Sequence, residues 1–184
     1  MKSPSKIIMF ALGAIGALLV TISLSVPFFV GFYTIPQNGM SPSLPSGTFV
    51  LIAKRPYSSP SNVRRGDIIV FVREENGQHY KYIWRVIALP GEKVEAFGKS
   101  LAINGHVVKQ QFIHDEHDKE VFREKIGGIS YDVAFDRSPS YRPPNVSLTV
   151  PINQFFVMGD NRFNARDSRY FGPISFGSII GKKL

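Results

Sequence analysis

The chain has 184 residues, no cysteine and a formal net charge of +8. Without cysteine there is no disulfide framework and no thiolate metal site, and the redox compartment is left open. The length suits one domain of ordinary size plus an appendage, and 16 glycines and 13 prolines among alternating apolar and polar runs favour a β-rich body.

The first stretch that stands out runs from Ile7 to Val30 and carries no charge, with Lys2 and Lys6 ahead of it. As a helix, these 24 residues would reach roughly 36 Å, enough to cross a hydrocarbon core of about 30 Å. The apolar region of a cleaved signal peptide is shorter, about 7–15 residues, so the stretch reads as an uncleaved anchor, bent before Pro27. The basic residues ahead of it put the N-terminus in the cytoplasm and the body on the extracytoplasmic side. No acidic residue occurs before Asp67, a balance that suits nucleic acid or an anionic membrane. Lysine and arginine are scattered without a base-stacking aromatic motif, which argues against nucleic acid. The expected division is therefore 1–34 as cytoplasmic stub and transmembrane anchor, and 35–184 as one β domain.

Phe28 to Ile35 is apolar and aromatic and reads as an interfacial segment. Residues 47–53 read as a strand, Tyr57 to Asn62 as a loop, Arg65-Gly66-Asp67 as a turn and Ile68 to Val72 as a short buried strand. Asn76-Gly77 and Asn104-Gly105 are hairpin turn signals, and the run from Tyr80 to Leu89 between them alternates as a strand. Residues 109–150, polar and holding Pro139, Pro143 and Pro144, read as a strand pair with long loops. Gln154 to Met158 is a strand entering a turn, and Ile174 to Leu184 is a last strand with glycine turns.

The richest chemistry lies in Gly159-Asp160-Asn161-Arg162 and on through Asp167-Ser168-Arg169-Tyr170-Phe171-Gly172. Charges beside an apolar strand must be paired and hydrogen-bonded if buried. Arg85, Asp160, Arg162, Asp167 and Arg169 are accordingly expected to form a structural charge cluster. His114-Asp115-Glu116-His117 has the look of a metal pair but lacks a third ligand, and His79 and His106 read as surface or strand-end residues. No metal and no cofactor is expected. No phosphate-cradling glycine loop is present either.

This last stretch resembles the C-terminal box of the type I signal peptidases, membrane-anchored serine proteases that use a Ser/Lys pair. Three more stretches follow the same pattern in the family's order: Ile35 to Leu44, Arg65 to Phe71, and Tyr82 to Gly91. The terminal Ile179-Ile180-Gly181-Lys182 also fits. The resemblance covers almost the whole chain and implies an antiparallel β domain with its groove near the membrane surface. Met40, Pro42 and Ile83 would line a peptide groove.

The resemblance fails where the family's chemistry sits. Gly39 stands at the position of the serine nucleophile and Trp84 at that of the lysine base, and Ala165 replaces a serine that helps orient that lysine. Phe163 stands where an acid is often found. Glycine offers no nucleophile, and an indole cannot accept a proton. A substitute pair could come from Ser41 and Lys81. In an extended segment Ser41 lies about 6.6 Å beyond Gly39, and Lys81, three residues before Trp84, points to the other face of a strand.

The implied function is a signal peptidase I-like membrane protein without its dyad. It would bind signal or leader peptides, or an active peptidase or other secretion machinery, beside membrane lipid. The alternatives are an active endopeptidase with a rearranged Ser41/Lys81 pair, and a structural subunit of an envelope or secretion assembly.

Overall fold

The computed structural model describes residues 12–16 and 28–184. Most of the expected span, Ile7 to Val30, lies outside the described residues. Residues 12–16 are helical and exposed, and no helix among the described residues is long and apolar enough to cross a membrane.

The body is mainly antiparallel β. The segment read as interfacial is instead strand β1 (Val30–Thr34), which pairs with β2 (Phe49–Lys54). The expected helix thus gives way to strand at Val30, and the sheet takes in residues that the sequence reading gave to the anchor. Asn76-Gly77 closes a long hairpin of β3 (Ile68–Glu75) and β4 (Gln78–Ala88). Both turn residues have positive φ, 52° and 75°, as a two-residue hairpin turn requires. A smaller sheet follows, with β5 (Lys93–Phe97), β6 (Ser100–Ile103) and β7 (His106–Val107). The Asn104-Gly105 turn joins β6 to β7.

Residues 109–150 hold more strand than their polarity suggested. They form a three-stranded meander of β8 (Lys109–Glu116), β9 (Lys119–Ile126) and β10 (Ile129–Asp136), followed by β11 (Val146–Thr149), which pairs with β5. The outer strand β8 is almost wholly exposed, so it lacks the apolar alternation that marks a half-buried strand. Then come β12 (Gln154–Met158), β13 (Ile174–Ser175) and β14 (Ile179–Lys183). The large sheet runs β1-β2-β14-β3-β4-β12-β13.

Strand β12 divides the interior. Phe155 and Val157 face a core with Ile52, Ile69, Phe71, Trp84 and Val86. Phe156 and Met158 face a second core with Ile87, Val94, Leu101, Val133 and Phe135. The strand's period of two sends alternate side chains into opposite layers. The Gly159 to Gly172 stretch, the functional box, leaves the end of this doubly buried strand.

Candidate functional site

Three chain segments meet at Gly39. A Cβ built on that residue would lie 2.4 Å from Cη2 and 2.7 Å from Cζ3 of Trp84. The Gly39 carbonyl accepts from Asn161 N at 3.0 Å, and Asn161 Nδ2 donates to the Asn38 carbonyl at 3.0 Å. A Cβ on Gly159 would lie 2.3 Å from Ala165 Cβ, 2.5 Å from the Gly39 carbonyl and 3.0 Å from Trp84 Cζ3. Gly39, Trp84, Gly159 and Ala165 therefore pack as one cluster, in which glycine at 39 and 159 makes room for the indole and the methyl group. Trp84 is only 6% exposed, and its indole N–H is buried without an acceptor among the described residues.

Beside this cluster lies a cleft of about 130 Å³, lined by Ile35, Pro36, Gln37, Gly39, Met40 and residues 80–84. Among the described residues, β4 has a ladder partner on one side only along this stretch. Gln78 to Arg85 register with β3, whereas β12 meets β4 only from Arg85 to Ala88. The second backbone edge of residues 80–84 has no ladder partner among the described residues, and these residues line the cleft. Met40 and Ile83 are among the residues that line the cleft, and Pro42 is not. The chain turns back after Met40, with Leu44 N donating to the Met40 carbonyl at 2.7 Å, which takes Pro42 away from the wall.

Ser41 and Lys81 do not form a pair. No hydrogen bond joins the Ser41 hydroxyl to a lysine or histidine among the described residues. Lys81 is exposed, with its Nζ over the Tyr33 ring at 5.6 Å from the centroid. Lys81 still lines the cleft, three residues from the indole.

The five expected charges are buried and resolve into separate pairs. Arg85 Nε and Nη2 donate to the two carboxylate oxygens of Asp160 at 2.8 and 2.6 Å. Burial pulls the Arg85 pKa down, but the hydrogen bond and charge of Asp160 outweigh it and leave it above its ordinary value. The guanidinium also donates to the Gly66 carbonyl and Ser43 Oγ and covers the Tyr131 ring at 4.1 Å. Asp167 accepts from Arg169 Nε and Nη2 at 2.9 and 2.7 Å and from Gly159 N at 2.9 Å. It also caps the short helical turn Ser168–Phe171 through Arg169 N.

Arg162 pairs outside the expected set. Its Nη1 and Nη2 each lie 2.5 Å from a carboxylate oxygen of Glu124, with both residues at most 1% exposed. Sequence reading missed Glu124. The available signal was its place in β9, in step with Phe122 and Ile126 on the inward face. Among the described residues no group of histidines and carboxylates could hold a metal ion, and His114 and His117 are exposed at the β8–β9 turn.

A family model for signal peptidase, peptidase S26, matches residues 6–184. The chain belongs to this family. Signal peptidase I of Pseudomonas fluorescens is 32% identical over 181 positions, covering 84% of this chain and 63% of that protein. Signal peptidase I of Aquifex aeolicus strain VF5 is 31% identical over 187 positions, covering 82% and 72%. The crystal structure of a signal peptidase I from Enterococcus faecalis V583 aligns at 31% identity with a TM-score of 0.41, covering 66% of this chain and 96% of that one. The chain spans just under two thirds of the length of the two Pseudomonas signal peptidases it matches. Gly39, Trp84 and Ala165 meet in one packed cluster.

Proposed function

We propose that this chain is a membrane-anchored signal peptidase I-like protein that holds an extended signal or leader peptide in its cleft without cleaving it. The observation that carries this reading is the Gly39–Trp84 contact. By the resemblance of the boxes, Trp84 takes the base's position and Gly39 the nucleophile's, so an indole faces a residue without a hydroxyl. A nucleophilic pair needs nucleophile and base within hydrogen-bond reach, and Ser41 and Lys81 supply no such contact. The open edge of residues 80–84 supports peptide binding by strand addition, in which main-chain hydrogen bonds hold the ligand and the cleft reads alternate side chains. The uncharged run from Ile7 to Val30, behind Lys2 and Lys6, supports a single anchor with the N-terminus in the cytoplasm and the cleft-bearing body outside, beside lipid. An active signal peptidase is a fitting partner, since both would meet the same leaders.

The test is release of a leader from a membrane-inserted precursor, together with binding of the free leader peptide. The unmodified chain is expected to bind the peptide and release nothing. Gly39→Ser and Trp84→Lys singly should stay inactive, because groups that act as a unit are strongly non-additive. The triple change with Ala165→Ser has the best prospect of turnover. Cleavage by the unmodified chain that disappears in Ser41→Ala would establish the rearranged pair instead. Failure to bind any leader would favour a structural subunit.

A further inference from the structure

The cleft wall has a support outside the family boxes. One face of the β3–β4 ladder carries Ile69, Phe71, Arg73 and Glu75 opposite Trp84, Tyr82, Tyr80 and Gln78. On that face the Tyr82 ring stacks on Phe71 at 5.6 Å and leans on Trp84 at 6.3 Å and Phe171 at 5.9 Å. The Tyr82 hydroxyl reaches along the hairpin and donates to Glu75 Oε1 at 2.8 Å. Glu75 is itself held, by Arg73 on its own strand and by Arg166 Nη1 at 3.7 Å from the functional box. Arg73 in turn covers the Phe171 ring at 4.5 Å.

We propose that Glu75 is a positioning residue for the cleft: through Tyr82 it fixes the wall against which Trp84 and a bound peptide pack. Tyr82 lines the cleft and touches the indole, and its hydroxyl is tethered at one point. A carboxylate acceptor makes that tether stronger than a neutral one. Arg73 and Arg166 keep the carboxylate in place from two sides, so the hairpin tip and the functional box hold the same ring. The consequence for peptide binding rests on the reading above; the consequence for Trp84 does not.

Trp84 is the single tryptophan of the chain, so intrinsic fluorescence of the full chain in detergent micelles reports on the cleft alone. Glu75→Ala removes the acceptor, Tyr82→Phe removes only the hydroxyl, and Glu75→Gln keeps a neutral acceptor. Glu75→Ala and Tyr82→Phe should shift Trp84 emission to the red and raise its quenching by acrylamide, whereas Glu75→Gln should stay near the parent. A tryptophan-free synthetic leader peptide should bind the first two variants several-fold more weakly, because a wall that is no longer pre-organised must be ordered on binding. The ring is retained in Tyr82→Phe, which guards against loss of fold in the alanine variant. Parent-like emission, quenching and affinity in both Glu75→Ala and Tyr82→Phe would overturn the assignment. If the parent itself binds no leader peptide, the peptide-holding reading fails, and quenching of Trp84 still decides the role of Glu75.

Discussion

The contact between Gly39 and Trp84 makes a prediction whose sign is decided by magnitudes. The backbone of Gly39 is not in the left-handed region, so alanine meets no conformational strain there. In open space Gly39→Ala would stabilise the protein by about 0.4–1 kcal/mol, by restricting the unfolded chain. Here the added carbon would sit 2.4 Å from one ring atom of Trp84 and 2.7 Å from the next. The ring is buried against Gly159 as well, at 3.0 Å from a carbon built there, so it cannot simply retreat. Overpacking of this kind costs about 1–3 kcal/mol. The steric term wins, and the net loss should be about 1–2 kcal/mol. For a chain of this size that lowers Tm by roughly 2–8 °C.

The companion experiment is the same change in a Trp84→Ala background. Trp84→Ala alone should cost about 3–5 kcal/mol as a cavity. With the ring gone, Gly39→Ala should turn stabilising, so the two substitutions couple with opposite sign to simple addition. Thermal melts of the four proteins in the same detergent complete the cycle. Additive losses, or a Gly39→Ala protein as stable as the parent, would refute the claim that glycine is required by the indole.

Three further outcomes follow from the charge pairs. Asp167→Ala would leave Arg169 and Gly159 N without their acceptor in a buried site and should cost about 3–5 kcal/mol, read as a loss of melting temperature; an unchanged melt would count against a structural role. Glu124→Ala strands the buried Arg162 in the same way, and Glu124→Gln should recover part of the loss in a urea titration. The Tyr82–Glu75 link sets a pH window. Its hydrogen bond to Tyr82, then the charges of Arg166 and Arg73, hold Glu75 below its ordinary 4.5, while burial, then that bond, raises Tyr82 above its ordinary 10.0. The depressed carboxylate contributes stability that is complete above 4.5 and lost as pH falls through its lowered value. The raised phenol contributes stability that is complete below 10.0 and lost as pH rises through its raised value. Trp84 emission should be flat between these limits and shift beyond them, and Glu75→Gln should abolish the acid limb.

Much of the architecture was readable because local signals agreed with one another. Asn76-Gly77 and Asn104-Gly105 named their turns, and Gln154 to Met158 read as a strand. Other features depended on tertiary pairing. Val30 to Thr34 is apolar enough to continue an anchor, and only its register with Phe49 to Ala53 makes it a strand. The outer strand of the 109–136 meander is exposed, so hydropathy carried no period. That Gly39, Trp84 and Ala165 pack together rests on contact distances, which are absent from a sequence. Glu124 escaped because a glutamate between charged neighbours reads as solvated until its strand's inward face is known.

The buried ion pairs and the Gly39–Trp84–Ala165 cluster answer to different physics. Arg85–Asp160, Arg162–Glu124 and Arg169–Asp167 are buried ion pairs. Removing one partner strands a charge in the interior, a cost of about 3–5 kcal/mol, comparable with much of a domain's net stability. These residues cannot change one at a time without endangering the fold. Gly39, Trp84 and Ala165 interact through volume alone, and volume can be exchanged between neighbours at much smaller cost. An indole at 84 is tolerated because position 39 has no side chain, and the methyl group at 165 because position 159 has none. By the same reasoning a side chain at position 39 fits without a clash only once the ring at 84 has gone. The order of substitution therefore matters: Trp84→Lys before Gly39→Ser passes through a cavity, whereas Gly39→Ser before Trp84→Lys passes through a clash.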